Sequence, residues 1–257
     1  MSAVLWHIPV SHYNEKVRWA LDLKGVAAER KAPPPGLHMA IALWLTRGRN
    51  KTFPVLELDD RAIGDSTAII AALEERYPEP ALYPAPDADR RRALALEDFF
   101  DEELGPHSRL LVFHELRRDS GPGMREFTAG ILPERLAGNE RVVAVASRGA
   151  ALFTEVRYRV ASEESAALAR AKIIAAIDRL EAELEAGPGD YLVGNSFSIA
   201  DLTAAALLTP VVDPPRGQAL PDPPPGLVEF RESLRERRAF TWAEEMFARH
   251  RADPVRP

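Results

Sequence analysis

One proline constrains this chain more than any other feature. It opens the short apolar stretch Thr52-Phe53-Pro54-Val55-Leu56. Pro54 has no N–H, so it fits the first residue of a strand and not its interior. Asp59-Asp60 supplies a turn, and a second short strand ends at Gly64. Asp65 and Ser66 stand where helix-capping residues belong, with the apolar pair Ile69 and Leu73 four apart behind them. The unit reads strand, turn, strand, helix.

The residues before it extend the pattern. Ala3 to Ile8 is an apolar run broken at His7 and ended by Pro9, expected to be a strand covered on both faces. Tyr13, Val17 and Leu21 recur at helical spacing and predict an amphipathic helix to Lys24, with Gly25 at its C-terminal stop. Val26 to Ala32 reads as a second strand and Leu37 to Leu45 as a short helix. The order over residues 1–83 is βαβαββα, which is thioredoxin-like.

Pro78, Pro80, Pro84 and Pro86 then mark an extended connector, and residues 84–257 read as all-helical. Asp87 to about Leu116 carries Leu96, Phe100 and Leu104 on one face. A turn at Ser120 to Gly123 interrupts, and shorter helical segments are expected up to Val160. Ser162 is placed to cap a helix reaching about Ala186. Ser198-Ile199-Ala200-Asp201 reads as an Asp variant of the capping box, with Phe197 and Leu202 as its hydrophobic staple. The proline cluster Pro210 to Pro225 predicts a rigid surface loop before one or two short terminal helices.

Composition narrows the chemistry. The chain has no cysteine, which excludes disulfides, thiolate metal sites and an enzyme-borne thiol nucleophile. Any thiol chemistry must use a sulfur brought by the substrate. A net charge of −6 argues against nucleic acid as a partner, so Arg90 to Arg92 and Arg235 to Arg238 read as solvated helix faces. No apolar run reaches the roughly 18 residues of a membrane span, and Met1 to Val10 shows no signal-peptide pattern, so a cytoplasmic location is expected. The acidic cluster Glu97, Asp98, Asp101, Glu102 and Glu103 near His107 lacks metal-ligand spacing and also reads as a solvated face.

Four motifs in this order resemble a glutathione transferase: Ser11-His12-Tyr13-Asn14-Glu15-Lys16-Val17-Arg18-Trp19-Ala20-Leu21, Phe53-Pro54, Asp65-Ser66, and the Ser198 to Asp201 box. Each alone is weak; together, at this spacing, they are specific and cover most of the chain. Leu43 to Ile70 and the long middle of the helical part are most similar to the branch holding bacterial β-etherases and related fungal enzymes. The segment of about 117–161 is longer than in a typical member.

The resemblance implies glutathione as co-substrate, no metal, a small hydrophobic or aromatic electrophile as second substrate, and a homodimer. It places the thiolate-stabilising hydroxyl on Ser11, with Tyr13 and Asn14 as alternatives; Ser11 as a plain helix cap is the bland reading. It implies a cis Pro54 that turns the Phe53 backbone toward glutathione. The γ-glutamyl end falls to Asp65 and Ser66, and the glycyl carboxylate to Lys51 or Arg49. Arg49-Asn50-Lys51-Thr52 departs from the Asn-Pro-x-Gly common before this strand. That departure and the long middle segment motivate two other readings, a transferase fold kept as a non-catalytic binding module and an enzyme using another low-molecular-weight thiol.

Overall fold

The computed structural model describes residues 3–33, 36–118, 122–132, 134–187, 189–217, 220 and 222–252. Residues 3–76 form β1 (Ala3–Trp6), α1 (His12–Leu23), β2 (Ala28–Lys31), α2 (His38–Leu45), β3 (Val55–Leu58), β4 (Arg61–Gly64) and α3 (Ser66–Arg76). The sheet order is β2-β1-β3-β4. β1 runs parallel to β2, while β3 is antiparallel to both β1 and β4. This is the expected thioredoxin-like arrangement. Helices α1 and α3 pack together and share the main core with the helical part. The other sheet face is covered by α2, through a small cluster around Ala42, Phe53 and Val55. β1 alternates buried and half-buried, so the expectation of full cover on both faces holds for only one of them.

Helix α1 departs from the amphipathic reading. Its buried residues include Asn14, Glu15, Lys16, Arg18 and Asp22 as well as Val17 and Leu21. It is enclosed on nearly every side because α10 of the helical part packs against it. Gly25 sits just past it with φ 63°, the left-handed conformation that a helix stop requires.

The rest is helical: α4 (Asp87–Phe99), a π-turn (Phe100–Leu104), α5 (Gly105–Arg118), α6 (Pro122–Ile131), α7 (Glu134–Ala137), α8 (Glu140–Tyr158), α9 (Glu163–Ala186), α10 (Ile199–Val212), α11 (Pro225–Leu234) and α12 (Arg238–His250). The long helix read from Asp87 is real but carries the π-turn in its middle, with Phe100 and Leu104 fully buried. The interruption read at Ser120 to Gly123 falls partly outside the described residues. Beyond it, α8 is 19 residues long, not one of several short segments. Ser162 caps α9, accepting from the Ser165 N–H at 3.1 Å. Pro210 lies inside α10, so the predicted proline loop starts later.

α10 is buried almost throughout and forms the centre of the helical part. Asp201 in its first turn accepts from the Ser198 N–H at 2.9 Å, the Ser198 hydroxyl at 2.7 Å and the Leu192 N–H at 2.8 Å. Burial raises its pKa to about 6 despite these donors.

Candidate functional site

The loop after β1 carries Ser11, and one side chain fastens it. Arg18, buried in α1, donates to the carbonyls of Ile8 at 3.3 Å, Pro9 at 2.9 Å and Ser11 at 3.4 Å. Its charge is met by Glu15 at 2.8 Å, and its Nη1 lies 3.0 Å from Nδ1 of His7. Burial first, and then the Arg18 charge, bring the His7 pKa down to about 3, so this nitrogen is a neutral acceptor. The arginine of the first motif therefore has a physical reason: it holds the backbone that presents Ser11.

Ser11 is the N-cap of α1 by backbone conformation, but its side chain makes no capping hydrogen bond. It is half-buried. Its neighbours are engaged elsewhere. The Tyr13 hydroxyl donates to the Asp101 carbonyl at 2.6 Å, and burial raises its pKa. Asn14 accepts the Ile8 N–H at 3.2 Å. His12 turns away, its Nε2 3.0 Å from the Gly105 carbonyl, with its pKa lowered to about 3 by burial and by the charge of Arg109. Of the three candidates, Tyr13 is engaged, while the Ser11 hydroxyl and the buried Nδ2 of Asn14 have no hydrogen-bond partner among the described residues.

The Phe53-Pro54 bond is cis, as the resemblance implies. Phe53 is buried, and its N–H and C=O make no backbone hydrogen bond outside the ladders among the described residues. Asp65 caps α3, accepting the Ala68 N–H at 3.1 Å. Its φ of 76° is a conformation that a non-glycine residue adopts at a cost of about 1–3 kcal/mol. Ser66 follows at the first position of α3, 5% exposed, with no side-chain hydrogen bond among the described residues. Lys51 is exposed. Arg49, with Arg47 and Arg61, instead lines a groove of about 830 Å³ between the end of α2 and β4 that reaches Gly64.

Two members of the acidic cluster, Glu97 and Asp101, correct the solvated-face reading, while Asp98 and Glu102 are exposed as expected. Glu97 is fully buried and Asp101 half-buried. Both accept from the buried Lys16, at 2.8 and 2.7 Å, and from Thr67 in the first turn of α3, at 3.0 and 2.9 Å. Burial raises the Glu97 pKa against the pull of Lys16. This network locks the N-terminus of α3 to α1 and α4. No group of metal ligands occurs among the described residues.

A thioredoxin-like unit with a cis-proline, followed by a helical part centred on a capping-box helix, defines a class of thiol-binding proteins. The sequence profile of the glutathione S-transferase N-terminal domain matches residues 5–81, and that of the C-terminal domain matches residues 160–233. The chain belongs to the glutathione S-transferase superfamily. It is 33% identical over 118 residues to a maleylpyruvate isomerase of Ralstonia, a match spanning 45% of this chain and 54% of the relative. It resembles in fold the β-etherase LigF of Sphingobium (TM-score 0.60, 19% identity, 95% of this chain and 99% of the other). It is also similar to a maleylacetoacetate isomerase of Anaeromyxobacter dehalogenans, solved with dicarboxyethyl glutathione and citrate bound (TM-score 0.53, 23% identity, 98% of both chains).

Proposed function

We propose that this protein is an enzyme that binds glutathione on its first unit and presents the thiolate to a small electrophile held against the helical part. The observation that carries the reading is the half-buried Ser11 hydroxyl, free of capping duty at the N-terminus of α1. The thiol of glutathione titrates near an unperturbed value of about 8.5, so the thiolate needs a donor to persist at neutral pH. Ser11 supplies that donor, and the α1 terminus adds about 0.3–1 kcal/mol of favourable potential. The Phe53 N–H and C=O pair with the cysteinyl backbone as an added strand would. Ser66 and the first N–H groups of α3 take the γ-glutamyl carboxylate, Asp65 its amino group, and Lys51 or Arg49 the glycyl carboxylate.

Transfer and isomerisation share a first step, addition of the thiolate to an electrophilic carbon. In transfer the new C–S bond is kept; in isomerisation it breaks again after rotation. The isomerases among the relatives support the second outcome, and the etherase supports cleavage of an ether. We place the domain boundary near Tyr83 and the protein in the cytoplasm as a homodimer.

The test pairs two measurements. Ser11→Ala should lower glutathione-dependent turnover of an aryl halide by ~10²-fold, the order seen when a donor to a reacting anion is removed. It should leave glutathione-dependent thermal stabilisation intact. Full turnover in the variant would remove Ser11 from the mechanism. No thermal shift of the parent protein at millimolar glutathione would favour a different thiol or a non-catalytic module.

A further inference from the structure

Seven arginines among the described residues are buried or half-buried: Arg18, Arg30, Arg109, Arg170, Arg231, Arg237 and Arg251. Six of them meet a carboxylate, Arg18 on Glu15, Arg30 on Asp22, Arg170 on Glu115, Arg231 on Asp213, Arg237 on Asp178 and Glu181, and Arg251 on Glu15 and Asp22. Arg109, on α5, is the exception. Among the described residues it has no ion pair and no hydrogen bond, and its Nε is buried without a partner. A buried donor left unmade costs more than a typical hydrogen bond gains, so native structures rarely keep one without a use.

The surroundings of Arg109 show what is missing. Its guanidinium lies 4.5 Å from the ring centre of Tyr158 and 5.7 Å from that of Tyr13. These π faces steady the charge but offer no lone pair to its five N–H donors. An arc of rings continues on both sides. Tyr158 meets Phe153 at 6.2 Å, Phe153 meets His38 at 5.9 Å, and His38 meets Phe53 at 6.3 Å. Through Arg109 the rings link Tyr13, two residues after Ser11, by way of the helical part to Phe53. His38 is kept neutral by burial, and Oδ2 of Asp101 is held by Lys16 and Thr67, its Oδ1 being buried with no hydrogen bond to Arg109 or any other described residue. No acid within the arc answers Arg109.

We propose that Arg109 is a specificity residue for the second substrate, and that this substrate is an electrophile carrying a carboxylate on an otherwise flat or apolar body. The planar guanidinium fork matches a carboxylate in two parallel N–H···O bonds, while the ring arc takes the apolar part. The inference rests on the glutathione reading for what happens next, but the binding of the anion does not require glutathione. A carboxylate in this place has two sources, the electrophile or glutathione itself, and the experiment separates them.

The probes are para-nitrobenzoate and its uncharged amide, titrated without glutathione into the full chain by calorimetry. The parent protein should bind the carboxylate ~10-fold or more tightly than the amide, the discrimination expected of one charge-assisted pair. Arg109→Gln should bring that ratio to about one, and Arg109→Lys should keep part of it, since the charge remains and the fork is lost. Equal binding of the two probes by the parent, no binding of the carboxylate, or an unchanged ratio in Arg109→Gln would overturn the proposal. Should Arg109→Gln fail to fold, the ratio in Arg109→Lys decides: an undiminished preference overturns it. A glutathione thermal shift is then read on parent and variant. Its loss in Arg109→Gln alone assigns the arginine to the carboxylate of glutathione and overturns the proposal. Its absence in the parent, with the carboxylate preference intact, sinks the glutathione reading and leaves Arg109 standing.

Discussion

Ser11, His7 and Arg18 form one device in which each residue explains another. Arg18 needs neutral acceptors, and His7 and the loop carbonyls supply them. Replacing Arg18 by Met removes the clamp on the Ser11 loop and leaves Glu15 with Arg251 alone. We expect a loss of about 3–5 kcal/mol in denaturant unfolding, the usual effect of breaking a buried pair. His12 gives a pH signature. Its folded pKa near 3 lies below the unfolded value of 6.5, so the unfolded chain binds the extra proton between those limits. Stability from this group is therefore full above pH 6.5 and is lost as the pH falls toward 3. His7 acts in the same sense; Asp201 and Glu97, with raised values, act in the opposite one. The difference isolates the term: the stability gap between parent and His12→Gln should shrink by about 1.4 kcal/mol per pH unit below pH 6. A gap independent of pH would mean that His12 takes up its proton alike in the folded and unfolded chain.

At the scale of elements, two contacts fix how the helices seat. Gly105 follows the π-turn, and a Cβ there would overlap the Tyr13 hydroxyl and stand 2.6 Å from its Cζ. Gly105→Ala should push Tyr13 off the Asp101 carbonyl at a cost of about 1–3 kcal/mol, as overpacking does. A thermal midpoint equal to the parent's would show that the helices re-seat freely. Asp201→Ala strands the N–H groups of Ser198 and Leu192, two buried donors, and should cost about 2–6 kcal/mol. Much of this level was legible in the sequence. Pro54, Asp65, Gly25, Ser162 and the Ser198 to Asp201 box are local signals whose physics does not depend on distant residues. Arg109 and the Lys16, Glu97, Asp101 and Thr67 network were not legible, because both join residues far apart in sequence, 30 to 85 positions within the network. A run of acids looks solvated until a lysine from another helix is known to face it. The π-turn was hidden for a similar reason, since its apolar spacing over Leu96, Phe100 and Leu104 also fits an unbroken α-helix.

The whole molecule has one main core. Leu5, Trp19, Leu56 and Ile69 of the first unit belong to the same cluster as Phe100, Leu202 and Phe247 of the helical part. Trp19 donates to the His250 carbonyl at 2.9 Å and packs on Phe197 and Phe247. With so much shared, the two parts should unfold in one transition, and tryptophan fluorescence and far-ultraviolet dichroism should trace the same curve. Two separated midpoints would show that the parts fold independently. The proposed dimer is read by light scattering: a mass near twice 28.4 kDa supports it, and a mass near the single-chain value sinks it.

Arg251 closes the molecule, reaching Glu15 across 236 positions and Asp22 across 229. During translation those two acids emerge early, while their partner is added far later, roughly 10–50 s afterwards at common elongation rates. The first unit must wait on the ribosome with its α1 acids met by Arg18 and Arg30 alone and its apolar flank uncovered. The nascent chain is thus open to chaperones until the last helix clears the exit tunnel.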